Sequence, residues 1–174
     1  MIPAIEKKET QTLATLISEY VVYNEWANKR LVDWLASKPA ALMTLELPSS
    51  FPGMKGTLVH IWDCQRFWLA VLRQTTIPAS FRQGFDGTLD DVLTGIIEQS
   101  EEFTRYVASL TDAELQEEVL FTTPWIDGIQ PRMHFIMHCM NHSTYHRGQI
   151  ITMGHTIGLT DAPMSDYSFY RLIG

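Results

Sequence analysis

The chain has 174 residues, 45% of them apolar and only 19% charged, which excludes a disordered segment and suits a single domain, residues 1–174, with its own core. The net charge of −7 excludes a nucleic-acid groove, which needs a basic footprint. No run approaches the ~20 apolar residues that span a bilayer, the start MIPAIEKKETQ lacks a signal peptide's apolar core, and two cysteines without a CxxC pair predict a reducing cytoplasm.

Helical periodicity organises most of the chain. The first helix is predicted from about Thr10 to Ser37, with Leu13, Ile17, Tyr20, Ala27, Leu31 and Trp34 on one face and Pro39 closing it. The second opens near Pro52 and runs to about Gln74 through Leu58, Ile61, Trp62, Phe67, Trp68, Leu69 and Leu72. The third starts at the capping-box pattern Thr88-Leu-Asp-Asp91 and reaches about Leu110. A second box, Thr111-Asp-Ala-Glu114, starts a short extra turn. In EEVLFTTPWIDGIQ, β-branched and aromatic residues around Asp127-Gly128 predict a short hairpin. The fourth helix begins at Pro131 and ends near Gly158. Four long amphipathic helices predict an all-α, antiparallel-type four-helix bundle, with the aromatic tail DAPMSDYSFYRLIG docked on it.

The last helix carries HFIMHCMNHSTYHRG, in which His134, His138, His142 and His146 follow one another at i, i+4. Each such step drifts about 40° around the helix axis, so adjacent members can share one ion while His134 and His146, about 120° apart, cannot. One helix thus offers a pair, and a third ligand must come from elsewhere. His60, between apolar Val59 and Ile61 in the second helix, is the obvious source. Three neutral imidazoles from two helices suit Zn²⁺, Ni²⁺ or Fe²⁺ and leave positions open for water or substrate. The competing reading is a set of hydrogen-bonded core histidines, and burying several without partners costs a few kcal/mol each. The glutamate of HExxH is absent, and so are the two ExxH motifs of a di-iron bundle.

YNEWANKRLVDWL in the first helix, SSFPGMKGTLVHIWDCQRFWLAVL entering the second, HCMNHSTYHRGQI in the fourth and the tail PMSDYSFYRLIG together resemble the DinB-like (DNA-damage-inducible) family of metalloproteins. The resemblance implies a four-helix bundle with a crossover connection, often dimeric. It implies a divalent metal held by one histidine of the second helix and two from the HxxxH of the last, here His60, His142 and His146. Zinc or nickel is the expected ion, with ferrous iron or manganese as further fits.

The neighbours carry expectations of their own. Helical geometry brings Gln149 closest to the direction of His142 and Tyr145 next, as hydrogen-bonding or substrate-contacting groups. Asp63, one turn after His60, is placed to orient that imidazole through its second nitrogen. Asn24 and Asn28 lie on the apolar stripe of the first helix, where they either bond across helices or line the pocket. His138 borders the pocket, with a core role bonded to a carbonyl preferred over a substrate contact. Arg147 is expected to pair with an acidic side chain, with an anionic substrate as the alternative. Gly148 should admit a neighbouring helix, Cys64 should be a buried small hydrophobe, and His134 and His155 should be partly exposed.

The resemblance further implies relatives that are transferases or maleylpyruvate isomerases using a low-molecular-weight thiol such as bacillithiol, mycothiol or glutathione. The expected activity is therefore thiol transfer to a small electrophile. Hydrolysis and a non-enzymatic, metal-stabilised binding module are the alternatives. A homodimer is expected.

Overall fold

The computed structural model describes residues 11–122 and 127–174. Four long helices dominate it: α1 (Leu13–Ala36), α3 (Gly53–Arg73), α4 (Leu89–Ala108) and α6 (Arg132–Thr156). Shorter pieces are α2 (Ala40–Met43), α5 (Asp112–Gln116) and α7 (Tyr167–Ile173). Thr12, Thr88 and Thr111 cap α1, α4 and α5 by accepting hydrogen bonds from backbone N–H groups. The latter two caps are complete capping boxes, with Asp91 and Glu114 returning the bond. At the other end of α3, Gln74 adopts a left-handed conformation and stops the helix.

Strands β1 (Glu118–Thr122) and β2 (Asp127–Pro131) form the expected antiparallel hairpin. Asp127 and Gly128 are strand residues, paired with Thr122 and Phe121, and residues 123–126 lie outside the described residues. Pro131 ends β2 and caps α6.

Each long helix packs against two others: α1 on α4 and α6, and α3 on α4 and α6. Their apolar residues form two clusters. One contains Ile17 and Val21 of α1, Leu69 and Leu72 of α3, Phe103 and Val107 of α4, and Ile136 and Met140 of α6. The other contains Leu31 and Leu35, Leu58 and Ile61, Val92 and Ile96, and Ile150 and Met153 of the same four helices. Chain order along these clusters fixes direction. Helices α1 and α6 run from the first cluster to the second, and α3 and α4 run the opposite way.

Adjacent α3 and α4 are therefore parallel, which departs from an all-antiparallel bundle. Residues 74–88 must travel back along the outside of the bundle to join them, and this is the crossover. Close packing helps: a Cβ at Gly95 would stand only 2.2 Å from the Trp62 ring, so α4 approaches α3 where glycine leaves room for the indole.

Between the clusters every long helix places polar groups. Asn24 and Asn28 come from α1, Gln65 from α3, Ser100 from α4, and Ser143, His146 and Arg147 from α6, all buried. Arg147 donates to Asn24 Oδ1 (2.5 Å), Asn28 Oδ1 (2.9 Å) and Thr144 Oγ1 (2.8 Å). Asn28 Nδ2 donates to Ser100 Oγ at 2.9 Å. The two asparagines thus bond across helices instead of lining a pocket. Arg147 meets amide and hydroxyl oxygens where an acid was expected, because its position faces α1, whose buried stripe at that level contains asparagines. Gly148 is exposed, and among the described residues no atom lies within 4 Å of where a Cβ would stand, so none of the described helices approaches it.

The tail docks on α1 as expected. Tyr167 packs edge-on against Tyr20 and Tyr23, and Tyr170 packs against Trp26. Tyr23 donates to Ser165 O at 2.9 Å, and Trp34 Nε1 to Asp161 Oδ1 at 3.0 Å. No helix among the described residues is long and apolar enough to cross a membrane.

Candidate metal centre

The packing of α3 on α6 brings together side chains that lie far apart in the chain. His60 and Cys64 stand one turn apart on α3, and His142 and His146 one turn apart on α6. His60 Nε2 lies 2.9 Å from His142 Nε2, and His146 Nε2 lies 3.1 Å from the same atom. The rings of His60 and His146 are 4.5 Å apart at their centroids. Cys64 Sγ lies 3.5 Å from His60 Nε2 and 3.4 Å from His142 Nε2.

These spacings can be compared with a coordination shell. Around a tetrahedral Zn²⁺, bonds of about 2.0–2.1 Å to nitrogen and about 2.3 Å to sulfur set nitrogens about 3.3 Å apart and nitrogen about 3.6 Å from sulfur. The observed distances fall close to both values. His60, Cys64 and His142 each offer a donor atom within 4.8 Å of the others, a group that fits a divalent metal. Cys64 therefore belongs with the imidazoles and is only half-buried, contrary to the expectation of an inert core thiol. Its i+4 spacing from His60 was the signal in the sequence that pointed there.

The electrostatics suit neutral donors. Burial, reinforced by His146 and His142, lowers the His60 pKa to about 3. Burial together with His146 and His138 lowers that of His142 to about 4. Burial also lowers His146, against the opposing pull of Gln149. At neutral pH the three rings thus keep their lone pairs. Burial, aided by the charge of Asp63, pushes the Cys64 thiol up to about 12, so Cys64 holds its proton until a cation competes for the sulfur.

Surrounding groups hold the rings. Gln149 Oε1 lies 2.7 Å from His146 Nδ1, while Gln149 Nε2 donates to Ser50 Oγ (2.9 Å) and Tyr145 Oη (3.1 Å). The Phe51 ring stacks on His60 at 3.8 Å and meets His146 edge-on at 5.6 Å. Neither Ser50 nor Phe51 could be foreseen, since both arrive from the loop before α3 and carry no local pattern. An open cavity of about 470 Å³ lies beside the site, lined by Tyr145, Gln149, Ser49 and Met153 among others.

Two neighbours behave differently from expectation. Asp63 accepts from Arg66 (3.2 Å) and Ser80 (2.5 Å), so its carboxylate is turned to the crossover and not to His60. His138 is exposed and makes ring contacts with Trp68 (4.8 Å) and His142 (5.7 Å) in place of a carbonyl bond. It stands one turn nearer the start of α6 than His142, outside the cleft between the helices. His134 and His155 are exposed, as their end positions implied.

The sequence model of the DinB family matches residues 8–172. Protein DinB of Bacillus subtilis (strain 168) is 27% identical over 155 residues, spanning 85% of this chain and 89% of that protein. Among solved structures, a DinB-like protein of Bacillus cereus ATCC 10987 is similar with a TM-score of 0.70 and 17% identity, over 88% of this chain and 97% of that one. A DinB-like protein of Bacillus subtilis gives 0.61 and 16%, over 87% and 98%. At such identities the likeness to these two structures concerns the fold.

Proposed function

The chain belongs to the DinB family, and from that premise we propose that it is a metal-dependent enzyme holding one divalent ion on His60, His142 and His146. The nitrogen donors favour zinc or nickel, and the reaction we assign is transfer of a low-molecular-weight thiol to a small electrophile. The observation that carries this reading is the approach of the imidazole Nε2 atoms of α6 and α3 to about 3 Å around His142. When bound, the ion would supply a Lewis acid that favours the anionic form of a ligated thiol or water.

The chain's own groups prepare the site. Gln149 keeps the His146 proton on Nδ1 and so turns the Nε2 lone pair inward. Phe51 covers one face of His60 and keeps water from it. Tyr145, exposed beside His146, presents its phenol to the open cavity, where a polar group of the substrate would meet it. Hydrolysis would need a general base, and Asp63, the carboxylate next along α3, is already engaged by Arg66 and Ser80.

A second reading has its own support. The spacing of Cys64 Sγ from two imidazoles also matches that of a fourth ligand, and a closed His/Cys shell would make the protein a metal-stabilised binding module. We also propose a homodimer in either case.

The deciding experiment is metal analysis of untagged protein, followed by cobalt substitution and addition of small thiols. The enzyme reading expects a new sulfur-to-cobalt charge-transfer band with wild-type protein, lost in His146→Ala. A cobalt spectrum that already shows the band before any thiol is added, and loses it in Cys64→Ala, favours the closed shell.

A further inference from the structure

The crossover that joins parallel α3 and α4 is fastened at the level of the metal centre. Ser80 Oγ donates to Asp63 Oδ2, Arg66 reaches both Asp63 and Ala79 O, and Phe81 packs on Trp62 with ring centroids 4.6 Å apart. Ser80 also accepts from the N–H of Arg82, starting a single 3-10 turn. These bonds fix where the Arg82 side chain emerges. Its guanidinium carbon stands 4.9 Å from the centroid of Phe51, the ring that stacks on His60. Arg66 is occupied by Asp63, whereas Arg82 forms no ion pair among the described residues.

A cation laid over an aromatic ring, unpaired with acid and held by a pinned loop beside a group of neutral donors, is an anion receptor. We propose that Arg82 selects the ligand of this site, binding a carboxylate or other anionic group on the small molecule whose reactive end reaches His60, His142 and His146. The inference rests on the small-molecule reading above and adds the charge of the substrate or thiol to it. It also gives Asp63 a role: by holding Ser80 it positions the turn that carries Arg82.

The test uses isothermal titration calorimetry on the zinc-loaded full chain with two matched ligand pairs. The sulfur pair is 3-mercaptopropionate and 3-mercaptopropan-1-ol. The nitrogen pair is imidazole-4-acetate and 4-methylimidazole. Wild-type protein should bind the anionic member of a pair about tenfold more tightly, as one charge-assisted contact implies. Arg82→Gln should erase that preference, Arg82→Lys should keep part of it, and Arg82→Glu should invert it. If the sulfur pair does not bind but the nitrogen pair shows the Arg82-dependent preference, thiol transfer falls and anion selection stands. A preference of the same size in wild type and Arg82→Gln overturns the proposal, and so does the absence of any charge preference in both pairs.

Discussion

His146 and Gln149 lie one turn apart on α6 with Nδ1 and Oε1 2.7 Å from each other. The amide cannot serve here as donor, because its nitrogen already donates to Ser50 and Tyr145. Gln149 therefore accepts, His146 donates from Nδ1, and Nε2 is left as a base facing the centre. Removing such an orienting contact typically weakens metal binding by about 10–100-fold. Gln149→Ala should do so in a chelator competition with the fold intact by circular dichroism. Unchanged affinity would show that the ring is held by packing alone.

The assignment of ligands is tested residue by residue. His60→Ala, His142→Ala and His146→Ala should each lose stoichiometric metal, while His134→Ala, on the exposed first turn of α6, should retain it. Cys64→Ala should also retain the ion in the enzyme reading. Loss of the metal from Cys64→Ala as complete as that from His142→Ala would make sulfur a ligand.

Stability without metal should fall with acid in a defined window. The folded state lowers the pKa of His60 to about 3 and of His142 to about 4 from an ordinary 6.5, so below 6.5 the unfolded chain binds protons that the folded one refuses. Stability linked to these rings is thus complete above 6.5 and declines until the pH reaches their folded values. Asp91, Glu114 and Asp161, whose hydrogen bonds lower their pKa, add to the fall at the acid end. Comparing chelator-treated wild type with a His60→Gln/His142→Gln double variant isolates the imidazoles. The double variant should show a shallower decline in urea midpoint between pH 6.5 and 4, and parallel curves would count against the linkage.

Arg147 is 2% exposed and is held by oxygens of Asn24, Asn28 and Thr144. Burial lowers its pKa, although Tyr23 and Tyr20 favour the charged form. Arg147→Met fills much of the volume but leaves the two amide oxygens unpaired. A loss of about 2–4 kcal/mol follows from charge-assisted bonds of this kind, read as a lower urea midpoint with an unchanged slope. A loss below about 0.5 kcal/mol would mean that those oxygens find other partners.

A dimer should appear in light scattering at micromolar concentration as twice 19.9 kDa. Docking of α7 spends its tyrosines on α1 and leaves Leu172 82% and Ile173 57% exposed, a small apolar edge for a second copy. Leu172→Glu should then shift the mass toward the monomer. A monomeric wild type removes the proposal.

Much of this architecture could be read from residues in order. The threonine caps, the proline breaks and the 3.6-residue spacing of apolar groups are local signals, and they placed every long helix within a few residues of its observed ends. The HxxxH ladder and His60 marked the two helices of the centre for the same reason. What escaped was set by packing. Nothing local told Asn28 that Arg147 and Ser100 would face it, or told Asp63 that a crossover would pass over it. The parallel run of α3 and α4 depends on where the long connection lies, and that depends on which clusters the helix ends join.

The polar layer between the two apolar clusters has a consequence for axial alignment. The ladder on α6 repeats every turn, so a slide of α6 past α3 by one helical pitch, about 5.4 Å, would present another correctly spaced histidine pair to His60. Imidazoles alone could not tell the right rung from the next. Arg147 can, because Asn24 and Asn28 stand one turn apart, so the same slide would part its guanidinium from one of them and bring it toward apolar Val21 or Leu31 at that end. The buried arginine acts as an index pin, and the vernier it sets is the one by which His142 and His146, rather than His138 and His142, stand opposite α3.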